Sequence, residues 1–578
     1  QPAPRLGRRA RAAYRRLNER SDPPPVVSPQ VLVARDVPVP MRDGVTLLAD
    51  HWYPARGATG PAILVRTPYG RAGNAELALT WARRGHHVVV QRCRGLFGSG
   101  GVFAPLDEAA DGADTLAWLR AQDWFPGRVH TWGFSYLGLT QWAMCGPTGP
   151  DAMQISLSAR SFDQAIIYPG DGFSMGNALA WLIALAAQER SWVARLWRII
   201  RFRSRLRRAA VTLPPSEADR AATGQSAAFF RDWVEHSQPG DPWWQKFHFA
   251  ADPAQVPPTV LLAGWQDLFL RGQVDDFKAL RQAGRPVRLV IGDWTHHGGE
   301  AGIWSSHETF RLPSRPEQEL SGPPVRLEVT GGGGWRDLMD WPPAAQPCPL
   351  HLTAAGGLSP DLPAAGQVAY TYDPRDPTPQ VGGRALDPFD SGRRGQRRRE
   401  ARSDVVVFTG PVLSQDLTVV GEPEFEAWFQ STNPTVDLAV RLCEVDAKGV
   451  SRTVGDGYAR QAGPTAQSEE GFRRGLVLIG PIAHRFAAGH RIRLQVASGA
   501  HPLCLRNPGA GARPTAPGPL TSSRQILRCG PDGCRLVLPQ VALEQLPVAQ
   551  GGPRPAGPGG QAGTARARSF AQPDPRGD

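Results

Sequence analysis

Gly133-Phe134-Ser135-Tyr136-Leu137-Gly138 decides how this chain reads: a serine is held between glycines where an apolar strand hands over to a helix. The upstream Arg128-Val129-His130-Thr131-Trp132 predicts a short buried strand, and Leu137 to Met144 carries the apolar spacing of a helix start. A sharp turn between the two leaves the serine hydroxyl exposed above the sheet. It also sets the backbone N–H of Tyr136 at the helix N-terminus, where it can face a developing oxyanion. The common form of such a turn is G-x-S-x-G, and here the second glycine comes one residue late. Taken alone, the stretch also describes a Gly-rich turn with a solvated serine, so the choice depends on partners elsewhere.

The surrounding pattern predicts strands at Val31-Leu32-Val33, 45–52, Ala62-Ile63-Leu64-Val65 and His87-Val88-Val89-Val90, with helices over 75–84 and 106–121. Strands alternating with helices imply a largely parallel sheet covered on both faces. Residues 146–255 break the alternation and read as a helical insertion, clearest over 175–188, 192–209 and 227–236. Strands resume at Thr259-Val260-Leu261-Leu262-Ala263 and Val287-Arg288-Leu289-Val290-Ile291. After about residue 342 come short strands (424–430, 437–442, 491–496, 534–538) separated by Gly, Pro and Asp turns, the pattern of an antiparallel sandwich. The predicted organisation is a basic arm (1–30), an α/β catalytic domain (31–145 and 256–345), a helical cap (146–255), a β domain (346–545) and a disordered Gly-, Pro- and Ala-rich tail (546–578).

Serine acyl transfer needs a base for the hydroxyl proton and a carboxylate to orient that base, and in α/β-hydrolases they follow in the order serine, acid, histidine. Asp267 follows the strand 259–263, and His296 follows the strand 287–291. Both sit at the carboxyl ends of strands, where open sheets place their sites, so Ser135, Asp267 and His296 converge on one edge. His297 competes with His296, and Asp275 and Asp276 compete with Asp267, although the two aspartates fall on the solvated face of the next helix. A second oxyanion donor belongs in the loop after an early strand, occupied here by Arg66-Thr67-Pro68-Tyr69-Gly70. That loop lacks the glycines of a backbone donor. Tyr69 reads there either as a hydroxyl donor or as a packing tyrosine beside a proline turn.

Composition excludes several other classes. The chain has 578 residues and a net charge of +12, but lysine occurs only at Lys246, Lys278 and Lys448, so the charge is almost all arginine. The arginine clusters at 5–20 and 393–402 look like solvated arms or loops without the aromatic interleaving of a nucleic-acid binder. The cluster at 195–208 alternates with apolar residues, as in an amphipathic helix packed on a neighbour. No run of about 18 apolar residues predicts a membrane span. The seven cysteines show no metal-ligand spacing, so no metal is indicated. Cys529 and Cys534 flank a hairpin turn that could carry a local disulfide, with free thiols the default reading.

With these motifs assembled, the chain resembles the cocaine esterase and X-Pro dipeptidyl-peptidase (CocE/NonD) family of serine hydrolases, which includes α-amino-acid ester hydrolases and glutaryl acylases. The match spans about Val37 to Leu546. Beyond the segments above it is carried by Val39-Pro40-Met41-Arg42-Asp43-Gly44-Val45, Arg94-Gly95-Leu96-Phe97-Gly98-Ser99-Gly100-Gly101 and Trp294-Thr295-His296, and in the second half by Gly489-His490-Arg491-Ile492-Arg493-Leu494 and Arg506-Asn507-Pro508. The resemblance implies an α/β-hydrolase domain with an inserted helical cap and a C-terminal jelly-roll domain. Its G-x-S-Y-x-G turn matches the late glycine. Its W-x-H and G-W-x-D motifs select His296 and Asp267, and Tyr69 becomes the oxyanion hydroxyl, acting with the Tyr136 N–H. One departure stands out: Gln91 is followed by Arg92 where the family usually has aspartate, so that contact is lost or rebuilt.

The implied activity is hydrolysis of a small-molecule ester or amide through an acyl-enzyme, without a cofactor. An aminopeptidase of the family must hold a substrate ammonium with a carboxylate in the cap, whereas an esterase of aromatic acids needs an apolar pocket. The cap offers Asp163, Asp171 and Glu235 as well as Trp181, Trp192, Trp233, Trp243 and Trp244, most of the tryptophans at core-like helical spacing. Phe134 and Trp265, inside the serine and aspartate motifs, are further pocket candidates. An esterase or amidase is the favoured reading and an X-Pro dipeptidyl-peptidase the alternative. A catalytically inert carbohydrate binder is the reading from another class. The cytoplasm is the expected compartment, with secretion after removal of a signal peptide as the alternative.

Overall fold

Ten strands of the first half of the chain form one sheet: β1 (Val31–Pro40), β2 (Thr46–Pro54), β3 (Ala62–Thr67), β4 (Val88–Arg92), β5 (Val129–Phe134), β6 (Ala152–Ser156), β7 (Thr259–Gln266), β8 (Val287–Thr295), β9 (Val325–Val329) and β10 (Gly334–Leu338). Their order is β1-β2-β4-β3-β5-β6-β7-β8-β9-β10, parallel from β4 through β9 and antiparallel at both edges. The computed structural model describes residues 19–163, 170, 172–188, 200–237, 240–312, 320–461, 471–509 and 518–553. Strands β3, β4 and β6 are buried along their whole length, which is why they read as apolar runs without alternation. Helices α1 (Ala75–Ala82), α2 (Ala109–Arg120) and α3 (Tyr136–Ala143) fill the early connections.

Strand β6 lies inside the segment expected to be wholly helical. It carries Gln154 and Ser156, which blunt its apolar signature, and both are satisfied by Ser305, whose hydroxyl also accepts from the Trp132 indole. The helical insertion therefore begins after β6. It contains α4 (Met175–Leu185), α5 (Phe202–Ala210), α6 (Ala218–Thr223) and α7 (Ala228–Glu235), and the sheet resumes with α8 (Leu270–Gln282) and α9 (Gly299–Thr309) following β7 and β8. In α5 the apolar face of Phe202, Leu206, Ala209 and Ala210 is buried. The part of that predicted helix before residue 200 lies outside the described residues.

The second half forms a nine-stranded and a four-stranded sheet, every pair of strands antiparallel, around a core that includes Phe408, Phe425, Leu442, Leu494 and Leu527. Arg384 joins this domain to the ten-stranded sheet. Its guanidinium donates to the carbonyls of Trp265, Asp456, Ile479 and Pro481 at 2.8–3.2 Å. Not all of the 393–402 arginines are solvated as expected: Arg399 is 2% exposed and donates to the Pro379 carbonyl. Cys529 and Cys534 are free thiols, as are the other five cysteines.

The ends of the described chain are held more firmly than expected. Arg20 forms two hydrogen bonds with Glu300 at 2.6 and 2.7 Å. Residues 547–551 run along β10, where the Asp337 N–H donates to the Pro547 carbonyl and Arg326 donates to the carbonyls of Gln550 and Gly551. This segment occupies the open edge of the sheet, so order extends past residue 546. Arg92 is buried and meets a replacement counter-charge. A bulge in β1 turns Asp36 (φ 53°) onto its guanidinium at 2.6 Å, with Asp50 at 3.6 Å.

Candidate active site

Ser135 joins β5 to α3 with φ 55° and ψ −122°, a strained conformation for a residue with a side chain. Its N–H donates to the Ser156 carbonyl at 2.9 Å, and its own carbonyl accepts from Gly138 and Leu139. The turn is that tight only because of the flanking glycines. A Cβ on Gly133 would lie 2.3 Å from the Leu137 Cβ, and one on Gly138 would lie 2.5 Å from the Ser158 Cβ. The second glycine is needed at 138 because that residue, rather than 137, backs onto the chain leaving β6.

Asp267 and His296 leave the ends of β7 and β8 and meet: His296 Nδ1 lies 2.7 Å from Asp267 Oδ2. Asp267 is fully buried, its other oxygen accepts from the Phe269 N–H at 2.8 Å, and the Phe269 ring stacks on His296 at 5.7 Å. A carboxylate only accepts, so Nδ1 carries the proton of the neutral ring and Nε2 is the free basic nitrogen. His297 is engaged elsewhere, with Nε2 3.0 Å from the Leu386 carbonyl. Asp275 is exposed beside Lys278. Asp276 is not solvated as expected: it is buried against Arg160 at 3.0 Å, and burial holds its carboxyl up to about 7.

Tyr69 approaches Ser135 from the β3 loop, where its N–H donates to the Thr67 hydroxyl at 3.0 Å. Its own hydroxyl accepts from the Trp181 indole N–H at 3.2 Å, while burial pushes its pKa up to about 12. Tyr136 opens α3, so its backbone N–H has no acceptor within the helix. Its side chain is fixed at the hydroxyl, which donates to Glu108 and accepts from the Leu106 N–H, both at 2.9 Å. Buried Arg66 lies 2.9 Å from the same carboxylate.

Above Ser135 lies a cavity of about 460 Å³ including its open mouth, lined by Ser135, Tyr136, Leu139, Phe162, Asn177, Ala178, Trp181, Trp233, Leu268, Phe269 and Leu386. Its wall is aromatic and aliphatic, and its one amide, Asn177, has its oxygen taken by the Leu386 N–H at 2.9 Å. Phe134 and Trp265 are absent from this wall. Trp265 is 2% exposed, tilted against Trp341 and donating to the Glu328 carbonyl, and Phe134 packs edge-on against Trp132. Both side chains alternate to the covered faces of their strands. Asp163 is bound to His248 at 3.0 Å and Glu235 is exposed. Trp244 is buried, with Trp243 packed edge-on against it. Trp192 and Asp171 lie outside the described residues.

Trp181 and Trp233, two of the cap tryptophans that the sequence offered for an apolar pocket while most of them read as core, line the cavity, and Phe162, Leu268, Phe269 and Leu386 are pocket residues that sequence reasoning passed over. Of these four, only Leu268-Phe269 carried a signal, as an apolar pair directly after a loop aspartate. Among the described residues no group of three or more His, Cys, Asp or Glu could hold a metal ion, and no helix is long and apolar enough to cross a membrane.

A mostly parallel sheet with a strained serine turn and an Asp–His pair at its carboxyl edge defines a serine hydrolase of the α/β-hydrolase fold. Comparison with known proteins narrows this. Residues 43–298 match the X-Pro dipeptidyl-peptidase (S15) family, and residues 320–532 match the X-Pro dipeptidyl-peptidase C-terminal non-catalytic domain. The cocaine esterase of Rhodococcus sp. (strain MB1 Bresler) is 30% identical over 536 residues, covering 83% of this chain and 93% of that protein. Among solved structures, an aminopeptidase from a marine sediment Thaumarchaeota archaeon superposes with a TM-score of 0.75 at 22% identity, covering 89% of this chain and 96% of that one. An α-amino acid ester hydrolase superposes with a TM-score of 0.73 at 21% identity, covering 88% and 97%. The chain belongs to the cocaine esterase and X-Pro dipeptidyl-peptidase (CocE/NonD) family, and it is a serine hydrolase.

Proposed function

We propose that this protein is a carboxylesterase for esters of bulky apolar acids, aromatic acids foremost, with Ser135 as nucleophile, His296 as base and Asp267 as the group that orients it. His296 Nε2 takes the hydroxyl proton as Ser135 Oγ attacks the carbonyl carbon. Tyr69 and the Tyr136 N–H donate to the oxyanion, and the proton passes from His296 to the departing alcohol. Water, deprotonated in turn by His296, releases the acid and restores Ser135. The segment between β6 and β7 serves as the cap over this site.

The observation that carries the choice of substrate is the cavity wall beside Ser135, whose described side chains are uncharged and mostly aromatic or aliphatic, with Phe162, Trp181, Trp233 and Phe269 among them. A free α-ammonium placed there would lose its hydration without gaining a counter-charge. The seven free thiols favour the cytoplasm, which fractionation of the source cells tests. The functional reading is tested by comparing p-nitrophenyl benzoate with an X-Pro p-nitroanilide, using wild type and Ser135→Ala. Rapid benzoate turnover that is lost in Ser135→Ala, with slow anilide turnover, is expected. Preference for the X-Pro anilide would replace the esterase reading with the dipeptidyl-peptidase one.

A further inference from the structure

We propose that Trp181, a residue of the cap, is a positioning residue for the oxyanion hydroxyl: its indole N–H fixes the direction in which Tyr69 presents its proton. This rests on the reading of Tyr69 as an oxyanion donor. The argument starts from donor inventory. An indole N–H only donates, whereas a phenol both donates and accepts. With Trp181 Nε1 3.2 Å from the Tyr69 oxygen, one lone pair of that oxygen is occupied from the cap side. The phenol hydrogen cannot point there and is turned to the other side of the oxygen, where the oxyanion reading places the developing charge. A donor aimed before the reaction begins needs no reorganisation when charge develops.

Trp181 is itself well held. Its ring stacks on Tyr136 at 5.8 Å and 8° and on Trp233 at 6.0 Å, and it also forms part of the cavity wall. One ring therefore touches the acyl group and sets the oxyanion donor, so the placement of the cap is felt in the chemical step as well as in binding.

The two roles separate experimentally. Trp181→Phe keeps an aromatic wall and removes the N–H, and p-nitrophenyl acetate carries an acyl group too small to need the wall. On the acetate ester, Trp181→Phe is expected to lower kcat about tenfold, the scale of one hydrogen bond, with KM unchanged. In a Tyr69→Phe background the same change is expected to add no further loss. A merely structural wall would leave acetate kcat unchanged and raise KM for the benzoate; either that result or full additivity with Tyr69→Phe overturns the proposal alone. A Tyr69→Phe enzyme as fast as wild type overturns the oxyanion reading and this inference with it. If Trp181→Phe fails to fold, 3-benzothienylalanine at position 181 supplies the same test, since it keeps the indole shape with sulfur in place of N–H.

Discussion

Gly138 fixes where the helix behind Ser135 can run, because its α-carbon faces Ser158 with no room for another carbon. In Gly138→Ala the new Cβ falls 2.5 Å from the Ser158 Cβ, a contact that must be relieved by moving the turn. A loss of about 1–3 kcal/mol in stability is expected, with a larger proportional loss of activity because Ser135 shifts with the helix. Urea unfolding and active-site titration with a fluorophosphonate check both, and Ser158→Gly in the same chain should restore part of the loss. The order Ser135, Asp267, His296 was legible because each residue follows a strand directly, so chain order alone places it on the sheet edge. Spacing alone left His297 and Asp276 as competitors until the family motifs selected His296 and Asp267; in the structure both competitors are engaged by partners from distant segments, the Leu386 carbonyl and Arg160.

At the scale of elements, the cavity draws on the residues after β6, on α4 and α7 of the cap, on the loop after β7 and on Leu386 from the second half of the chain. No periodicity within one segment reports such a convergence, which is why the sequence could not separate Trp181 and Trp233 from the cap tryptophans at core-like spacing. Strand β6 was missed for a related reason: its polar residues are paid for by Ser305 on α9, a partner about 150 positions away. Arg384 shows the same dependence. Its four carbonyl partners tie the loop bearing Leu386 to Trp265, two residues before Asp267. Arg384→Ala is expected to cost on the order of 3 kcal/mol in stability, from carbonyls left without a donor. It is also expected to lower kcat/KM more for the benzoate than for the acetate ester, since Leu386 meets only the larger acyl group. Similar losses on both esters would show that Arg384 supports the fold without shaping the pocket.

Across the whole molecule, the two halves also meet at Thr330, which follows β9 and lies 2.7 Å from His484 Nδ1. His484 is fully buried, with Nε2 3.3 Å from Glu444. Burial holds it neutral, down from 6.5 to about 4. The unfolded chain binds a proton there before the native one does, so this contribution to stability is complete above pH 6.5 and is lost as pH falls towards 4. Tm should decline over that interval, and His484→Gln should flatten the decline; an unchanged slope would assign acid sensitivity to other groups. The fold class was visible in the alternation of strands and helices, whereas the joint between the halves depends on buried polar pairs that no local pattern announces. The central claim concerns one bond, between Ser135 Oγ and an aromatic acyl group. Rapid mixing with p-nitrophenyl benzoate, acid quenching within one turnover and peptide mass mapping tests it most directly. A benzoyl adduct on the peptide carrying Ser135, absent from Ser135→Ala, is the predicted result; rapid turnover by Ser135→Ala, or a benzoyl group on another residue, would contradict the account.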